Sequence, residues 1–582
     1  MRDLFRDSMY GNVVRFVTRG RVFAFDEKRD AALWERFIDR EKSARMDEKG
    51  VKDGTDSIAS DETYDYENQK SPRKPRRSYS ENDRFIPHTR TWKNAHQRNA
   101  ATGVPVDPEK GEDVTIVTWY GEDDPDNPLN WSTVKKAFIA FLICLLTFTV
   151  NLGGGIFTSG SSQYAAQFGV SEVAATLALC VYTAGDGFGT MVWSPLSENC
   201  HIGRTLVYAW TWVLFVFLQF GVVYAKNFGM LIAFRALTGF FGSPVLGTGG
   251  ASMGDIYCSS QRVYAATIWV LVSFCAPVMG PVIGGYAAQY KGWQWTIYEL
   301  LWISGFALIL LFFMLPETSE AAILCRRSQR IRELTGRSDI KCAAEIEYDE
   351  KTKKELATES LVRPFSLTFK EPILFVLNLY LALIYGLLFI WFESFTIVFG
   401  EIYGFNLGAE GLSFLGIVIG ALFVVSPLLL FQYYTQNTRL NKNGELKPEL
   451  HLPPATVGAL CVPICLFWFG WTSRPQIHWI VPIVGSSFFA IGAMLLQCSV
   501  VAYIGDAYPQ YAASALAGNN FWRALFGAGF PMFATAMYRK LGVDGASSLL
   551  GVISVLFVPV PFFLYSYGAR IRKASKTARH DL

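Results

Sequence analysis

Charge is scarce in this sequence. Asp, Glu, Lys and Arg make up 18% of its 582 residues, while 51% are hydrophobic and 15% aromatic. Soluble domains carry about a quarter charged residues, so the shortage excludes a single soluble globule and predicts a chain that crosses a bilayer many times. Neither sign of charge dominates, with a net charge of +3, and the basic residues gather in tails and loops, which excludes a nucleic-acid footprint. The ten cysteines give no disulfide framework: Cys144, Cys180, Cys275, Cys461, Cys465 and Cys498 lie in apolar runs, while Cys200, Cys258, Cys325 and Cys342 lie in segments read as cytosolic. Charges begin at Arg2 and no short apolar core with a small-residue cleavage site follows, so the first span is expected to direct insertion. There is no G-x-x-x-x-G-K-[ST] loop, which removes the engine of ATP-driven work. No nucleophile elbow and no His/Cys metal cluster is apparent, so no catalytic residues, metal or cofactor are expected.

What is present is apolar runs. They predict an all-α membrane protein of twelve helices, at about 137–158, 173–194, 205–225, 228–253, 263–288, 295–315, 373–398, 411–434, 453–472, 478–504, 511–536 and 546–567, each near the roughly twenty residues that a crossing needs. The longest interruption, Pro316 to Pro372, carries eleven Lys and Arg, including Arg326, Arg327, Arg330 and Arg332. Lys135, Lys136, Arg204, Arg262, Arg439, Lys442, Arg570, Arg572 and Lys573 fall on the same side under alternation, so the positive-inside rule puts both termini and this loop in the cytosol. The predicted organisation is a tail at 1–130, a six-helix bundle at 131–315, a central loop at 316–372, a second bundle at 373–567 and a tail at 568–582. The tail's first residues, mixing basic and large apolar side chains, suit either an amphipathic helix on an anionic membrane face or an unstructured segment. Residues 47–98 are acidic, Ser-rich and then basic, a composition that cannot bury a core and reads as disordered. The halves echo each other: Met253-Gly254-Asp255-Ile256-Tyr257 closes the fourth span and Ile504-Gly505-Asp506-Ala507-Tyr508 the tenth, as parallel repeats require.

The segment from Phe234 to Gly285 organises the rest. Arg235 sits inside the fourth span, where an arginine costs roughly 2.5–3.5 kcal/mol on insertion scales and therefore faces a polar cavity or a partner. The fifth span carries Pro277 and Pro281 among Gly280, Gly284 and Gly285, a place where a helix bends and a neighbour approaches closely. Arg235 with Gly239, followed by Gly280-Pro281-Val282-Ile283-Gly284-Gly285, resembles two signatures of the major facilitator superfamily, the second being the antiporter motif of its drug:proton exporters. Ala276 stands where that motif opens with glycine. Val117 to Ser132 is similar to the lead-in of the fungal members, with Tyr120 in place of the usual Asp, and Pro316-Glu317-Thr318 to the end of their sixth span. Gly189 to Arg204 is similar to the superfamily's cytosolic gate motif, with Glu198 for the commoner Asp. The resemblance covers residues 117–570.

Four charges lie well inside the spans: Asp186, Arg235, Glu393 and Arg523. A carboxylate at Asp186 suits reversible proton binding, or else a structural ion pair. The resemblance implies a proton-coupling role for Arg235, whose guanidinium stays charged and would act by biasing an acid or water nearby. It also implies a substrate cavity bordered by Glu393, Asn519, Asn520 and Arg523, although packing against neighbouring helices is the favoured role of the asparagines. Gly189, Glu198, Gly203, Arg204, Asp255 and Asp506 are expected at cytosolic gates, with Glu198, Arg204 and Asp255 as a charge cluster. The implied protein is a monomeric, multi-pass transporter of the plasma membrane that exports hydrophobic or cationic drugs in exchange for protons, not an enzyme. Export of polyamines or of an endogenous secondary metabolite fits the same residues, and a non-transporting membrane sensor is the alternative from another class.

Overall fold

The structure is a computed structural model and describes residues 2–18, 22–23, 25, 27, 34, 114–349, 355, 358, 362–439, 447–508, 512–575 and 578. The segment read as disordered at 47–98 lies outside the described residues. In chain order the helices are α1 (Arg2–Asp7), α2 (Met9–Val17), α3 (Thr133–Gly155), α4 (Ser161–Phe168), α5 (Glu172–Glu198), α6 (Arg204–Val223) and α7 (Phe228–Gly242). They continue with α8 (Pro244–Ile256), α9 (Ser259–Lys291), α10 (Trp293–Met314), α11 (Glu320–Thr335), α12 (Ala343–Asp349), α13 (Arg363–Lys370) and α14 (Pro372–Phe395). The last are α15 (Leu407–Ser413), α16 (Leu415–Arg439), α17 (Pro453–Thr472), α18 (Ile480–Ala507), α19 (Ala512–Phe557) and α20 (Pro559–Ala574). Among the described residues there are also two strands, β1 (Thr115–Val117) and β2 (Ile340–Cys342). The chain divides into two units, Met1–Phe23 with Pro125–Ile323 and Lys351–Leu582, and Ala24–Asp124 with Leu324–Glu350.

The first unit holds ten helical stretches that, among the described residues, are long and apolar enough to cross a membrane. Polar side chains start several of the helices. Ser132 accepts from the Lys135 amide, Ser171 from Ala174, Asn227 from Met230 and Asn406 from Ala409, so each N-terminus has one of its orphan N–H groups satisfied. The ten differ from the twelve-span expectation at two places. Helix α5 is long enough to cross, but Asp186 between Gly185 and Gly187 dilutes its apolar character and it is not among the ten. Ser514–Lys573 forms one 60-residue stretch, bent at Gly542, whose φ of 75° only glycine adopts without strain, and restarting at Pro559.

The first residues form helices α1 and α2. They pack on this unit: Ser8 bridges to Pro316, the Tyr10 ring lies 5.0 Å from Phe313, and Lys135 lies 3.8 Å from Asp7.

In the second unit β1 pairs in parallel with β2, Thr115 opposite Ile340 and Val117 opposite Cys342. Arg327 on α11 is wholly buried; it donates to both Asp124 oxygens at 2.7 and 3.3 Å and lies over the Tyr120 ring at 4.1 Å, while Arg330 pairs with Glu27 at 2.7 Å. The aromatic residue at position 120, where the fungal lead-in usually has Asp, thus serves as a platform for a cation.

Candidate functional site

Arg235 projects from the middle of α7 and is 1% exposed. Among the described residues no carboxylate meets it. Its Nε donates to the Ala178 carbonyl at 3.3 Å and its Nη1 to the Gly153 carbonyl at 2.9 Å, while the guanidinium lies 4.5 Å from the Phe157 ring and 4.3 Å from that of Tyr182. Tyr182 is itself fixed by donating to the Val150 carbonyl at 2.6 Å. The Gly153 carbonyl is within the last turn of α3, where acceptors lack intrahelical partners and the helix dipole is negative. Arg235 Nη2 is buried without a hydrogen-bond partner.

The 276–285 motif converges on that same helix end. A Cβ at Gly155 would overlap the Pro277 carbonyl, and one at Gly280 would overlap the backbone of Gly155 and Ile156. Gly284 faces Ile156 as well, whereas Gly285 abuts the Leu407 carbonyl and the Pro281 carbonyl abuts Gly411 on α15. One side of α9 therefore seals against α3 and another against α15. Ala276, in place of the motif's first glycine, is fully buried, so a methyl group fits there.

Asp186 does not pair with Arg235. It is 6% exposed on α5, receives a hydrogen bond from Thr190 at 3.4 Å and feels the charge of Arg523 on α19 beyond contact distance. Asn520 donates to the same Thr190 hydroxyl at 3.0 Å, so a polar chain runs from α19 through Thr190 to Asp186. Arg523 lies 4.5 Å from the Tyr385 ring. Beside it Phe274, Leu381, Ile384, Tyr385, Leu388 and Gln497 line a cavity of about 10 Å³, room for one water, where a drug-sized ligand needs roughly 300–1,000 Å³. Asn519 is placed away from this cavity: it donates to Asn378 at 2.8 Å and ties α19 to α14. Glu393, near the end of α14, accepts from Thr176 at 3.3 Å and Thr535 at 2.9 Å, bridging α5, α14 and α19, and Arg539 reaches Glu172 at 3.0 Å close by.

At the opposite ends, Arg204 and Asp255 come together at 3.1 and 3.2 Å in a two-pronged pair. Glu198 stands apart from it, exposed, and acts on Arg204 only at longer range. The second acid at this corner is Glu317, which accepts from the Arg204 amide at 3.0 Å and from the amides of Thr318 and Ser319. Gly203, at φ 77°, lets that carboxylate approach, because a Cβ there would overlap it. Gly189 serves elsewhere, packing α5 against Phe240 and Ser243. Asp506, the counterpart of Asp255, meets His451 at 2.8 Å just before α17, as Arg204 opens α6. Neither Glu317 nor His451 carries a signal that sequence reasoning can rank above other loop residues, except that Glu317 lies in Pro316-Glu317-Thr318. Where no metal cluster was apparent from the sequence, Cys325, Cys342 and Glu345 in the second unit bring their donor atoms within 4.8 Å of one another.

Residues 143–531 match the family model described as Major Facilitator Superfamily. The chain is 40% identical over 473 residues to the multidrug transporter FLR1 of Candida glabrata, a match covering 80% of this chain and 84% of that one. It is 39% identical over 473 residues to transporter mfs1 of Schizosaccharomyces pombe, covering 80% and 89%, and 36% identical over 480 residues to the cycloheximide resistance protein of Candida maltosa, covering 81% and 87%. Among solved structures it is similar in fold to the proton:xylose symporter XylE, with a TM-score of 0.53 at 15% identity over 75% of this chain and 96% of that one.

Proposed function

The chain belongs to the major facilitator superfamily, and from that premise we propose that it exports hydrophobic or cationic drugs and toxic compounds across the plasma membrane in exchange for protons. Membership makes it a multi-pass membrane protein that moves small molecules, not an enzyme. The proposal adds twelve spans, with α5 as the second and with Ser514–Lys573 counted as two, arranged in bundles at 131–315 and 373–567 with both termini cytosolic. It also takes the monomer as the working unit.

The observation that carries the reading is the convergence of Arg235 and the 276–285 motif on the end of α3. Among the described residues this charge is held by carbonyls and rings alone, with its Nη2 amino group unsatisfied, and is costly to keep unless it works. We assign it the task of holding water and a positive potential in the first bundle, with α9 as the seam that moves. Asp186 is the proton acceptor. The groups facing it are Thr190 on its own helix and Asn520 and Arg523 on α19, with Tyr385 on α14 beneath Arg523. A proton on Asp186 removes the counter-charge of Arg523 and weakens the tie between the halves, and a cationic substrate competes for the same carboxylate. Differential binding to the two states then couples the flows. With room for one water beside Arg523, substrate enters only after the halves part, and Glu393, between Thr176 and Thr535, is the bond that opens at the other end.

The test is accumulation of a fluorescent cationic dye in cells lacking their own exporters. Expression of the chain should lower accumulation, and a protonophore should restore it. Lowered accumulation that survives the protonophore would remove proton coupling from the account.

A further inference from the structure

We propose that Cys325, Cys342 and Glu345 in the second unit form a binding site for a zinc ion. Cys325 lies on α11, Cys342 is the last residue of β2 and Glu345 belongs to the first turn of α12. The two sulfurs and a carboxylate oxygen are within 4.8 Å of one another, and the residues are 0%, 1% and 6% exposed. Tetrahedral zinc with Zn–S near 2.3 Å puts its ligand atoms about 3.5–4 Å apart, so the three close on an ion with a shift of about 1 Å or less. One coordination position remains for water or a further donor.

Charge and surroundings fit the same ion. Two thiolates and a carboxylate supply three negative charges, zinc supplies two positive ones, and Arg332, 2.7 Å from Glu345 Oε1, supplies the third. Ser328 donates to Glu345 Oε2 at 3.1 Å, so the carboxylate is oriented from behind while each oxygen keeps a free lone pair. Paired sulfurs favour a soft or borderline cation over magnesium or calcium.

The local fold has use for such a staple. Among the described residues, the hydrophobic cluster here is Val117, Ile331 and Ile340 with Trp34 against it, and the sheet is three residue pairs joining chain segments far apart in sequence. Cores this small are commonly completed by a metal or a disulfide.

The experiment uses the full-length protein in detergent, purified without chelator. Elemental analysis should find about one zinc per chain, and cobalt(II) added to chelator-stripped protein should give a thiolate charge-transfer absorption. In Cys325→Ser/Cys342→Ser the bound zinc and the cobalt band should both be lost, whereas Cys258→Ser, an exposed cysteine of the first unit, should keep both. Because the double variant can fail to fold, Glu345→Gln serves as a milder change, expected to weaken zinc affinity at least about 10-fold. No zinc and no cobalt band in the wild-type chain would overturn the proposal, as would a Cys325–Cys342 disulfide found by mass spectrometry or equal zinc in wild type and double variant.

Discussion

Arg235 and Gly153, 82 residues apart, are joined by a 2.9 Å hydrogen bond from a buried guanidinium to a helix-end carbonyl. That bond, with a second to Ala178 and the faces of two rings, holds the charge where, among the described residues, no acid lies beside it. Its geometry is particular to arginine: the fork reaches Ala178 and Gly153 at once while its face lies on Phe157 and Tyr182, and lysine offers neither the second arm nor the planar face. Arg235→Lys should therefore lose most gradient-driven transport, close to the loss in Arg235→Ala. Full transport by the Lys variant in dye-efflux assays would mean that the charge alone matters.

The seam between α3 and α9 makes a prediction about glycine. Gly155→Ala and Gly280→Ala each force a methyl group into backbone and should destabilise the protein by about 1–3 kcal/mol, lowering its apparent melting temperature. Gly305→Ala, with nothing near its added methyl, should be neutral or slightly stabilising. Equal melting of all three would remove close packing as the reason for the motif.

At the Arg204 corner the weights differ from those the motif suggests. Asp255→Asn leaves a mostly buried Arg204 without its two-pronged partner and should cost about 1.5–3 kcal/mol, whereas Glu198→Gln should stay within about 0.5 kcal/mol. Glu317→Gln should behave like Asp255→Asn, since it removes the charge that caps three amides. Thermal melting of the three variants orders them, and a larger loss in Glu198→Gln would contradict the assignment.

In the second unit, Arg327→Ala leaves Asp124 buried without its cation. About 3–5 kcal/mol of local stability should be lost, read as faster amide hydrogen exchange in β1 and β2. Unchanged exchange would show that the pair is not what holds those strands.

The legible part of the molecule was what local chemistry marks. Arg235 stands out in sequence because a charge inside a span is costly, and Pro277 and Pro281 stand out because they fall among the glycines of the motif. Their partners were hidden, because Gly153 and Ala178 contribute only carbonyls, which every residue has. The same holds for Asn519 with Asn378 and for Arg327 with Asp124, where the partner lies 141 or 203 residues away and no periodicity points to it. Glu198 was favoured over Glu317 because it sits inside the motif. Distance along the chain misled there, since the corner is closed by Glu317, just after α10, rather than by α5.

The most direct test of proton-coupled export is purified protein in liposomes, with an imposed pH gradient and a fluorescent cationic substrate, comparing wild type with Asp186→Asn and Arg235→Ala. The account predicts substrate movement in wild type that rises with the gradient and is lost in both variants, while Asp186→Asn still exchanges substrate for substrate without a gradient. Equal transport by wild type with and without the gradient would contradict it.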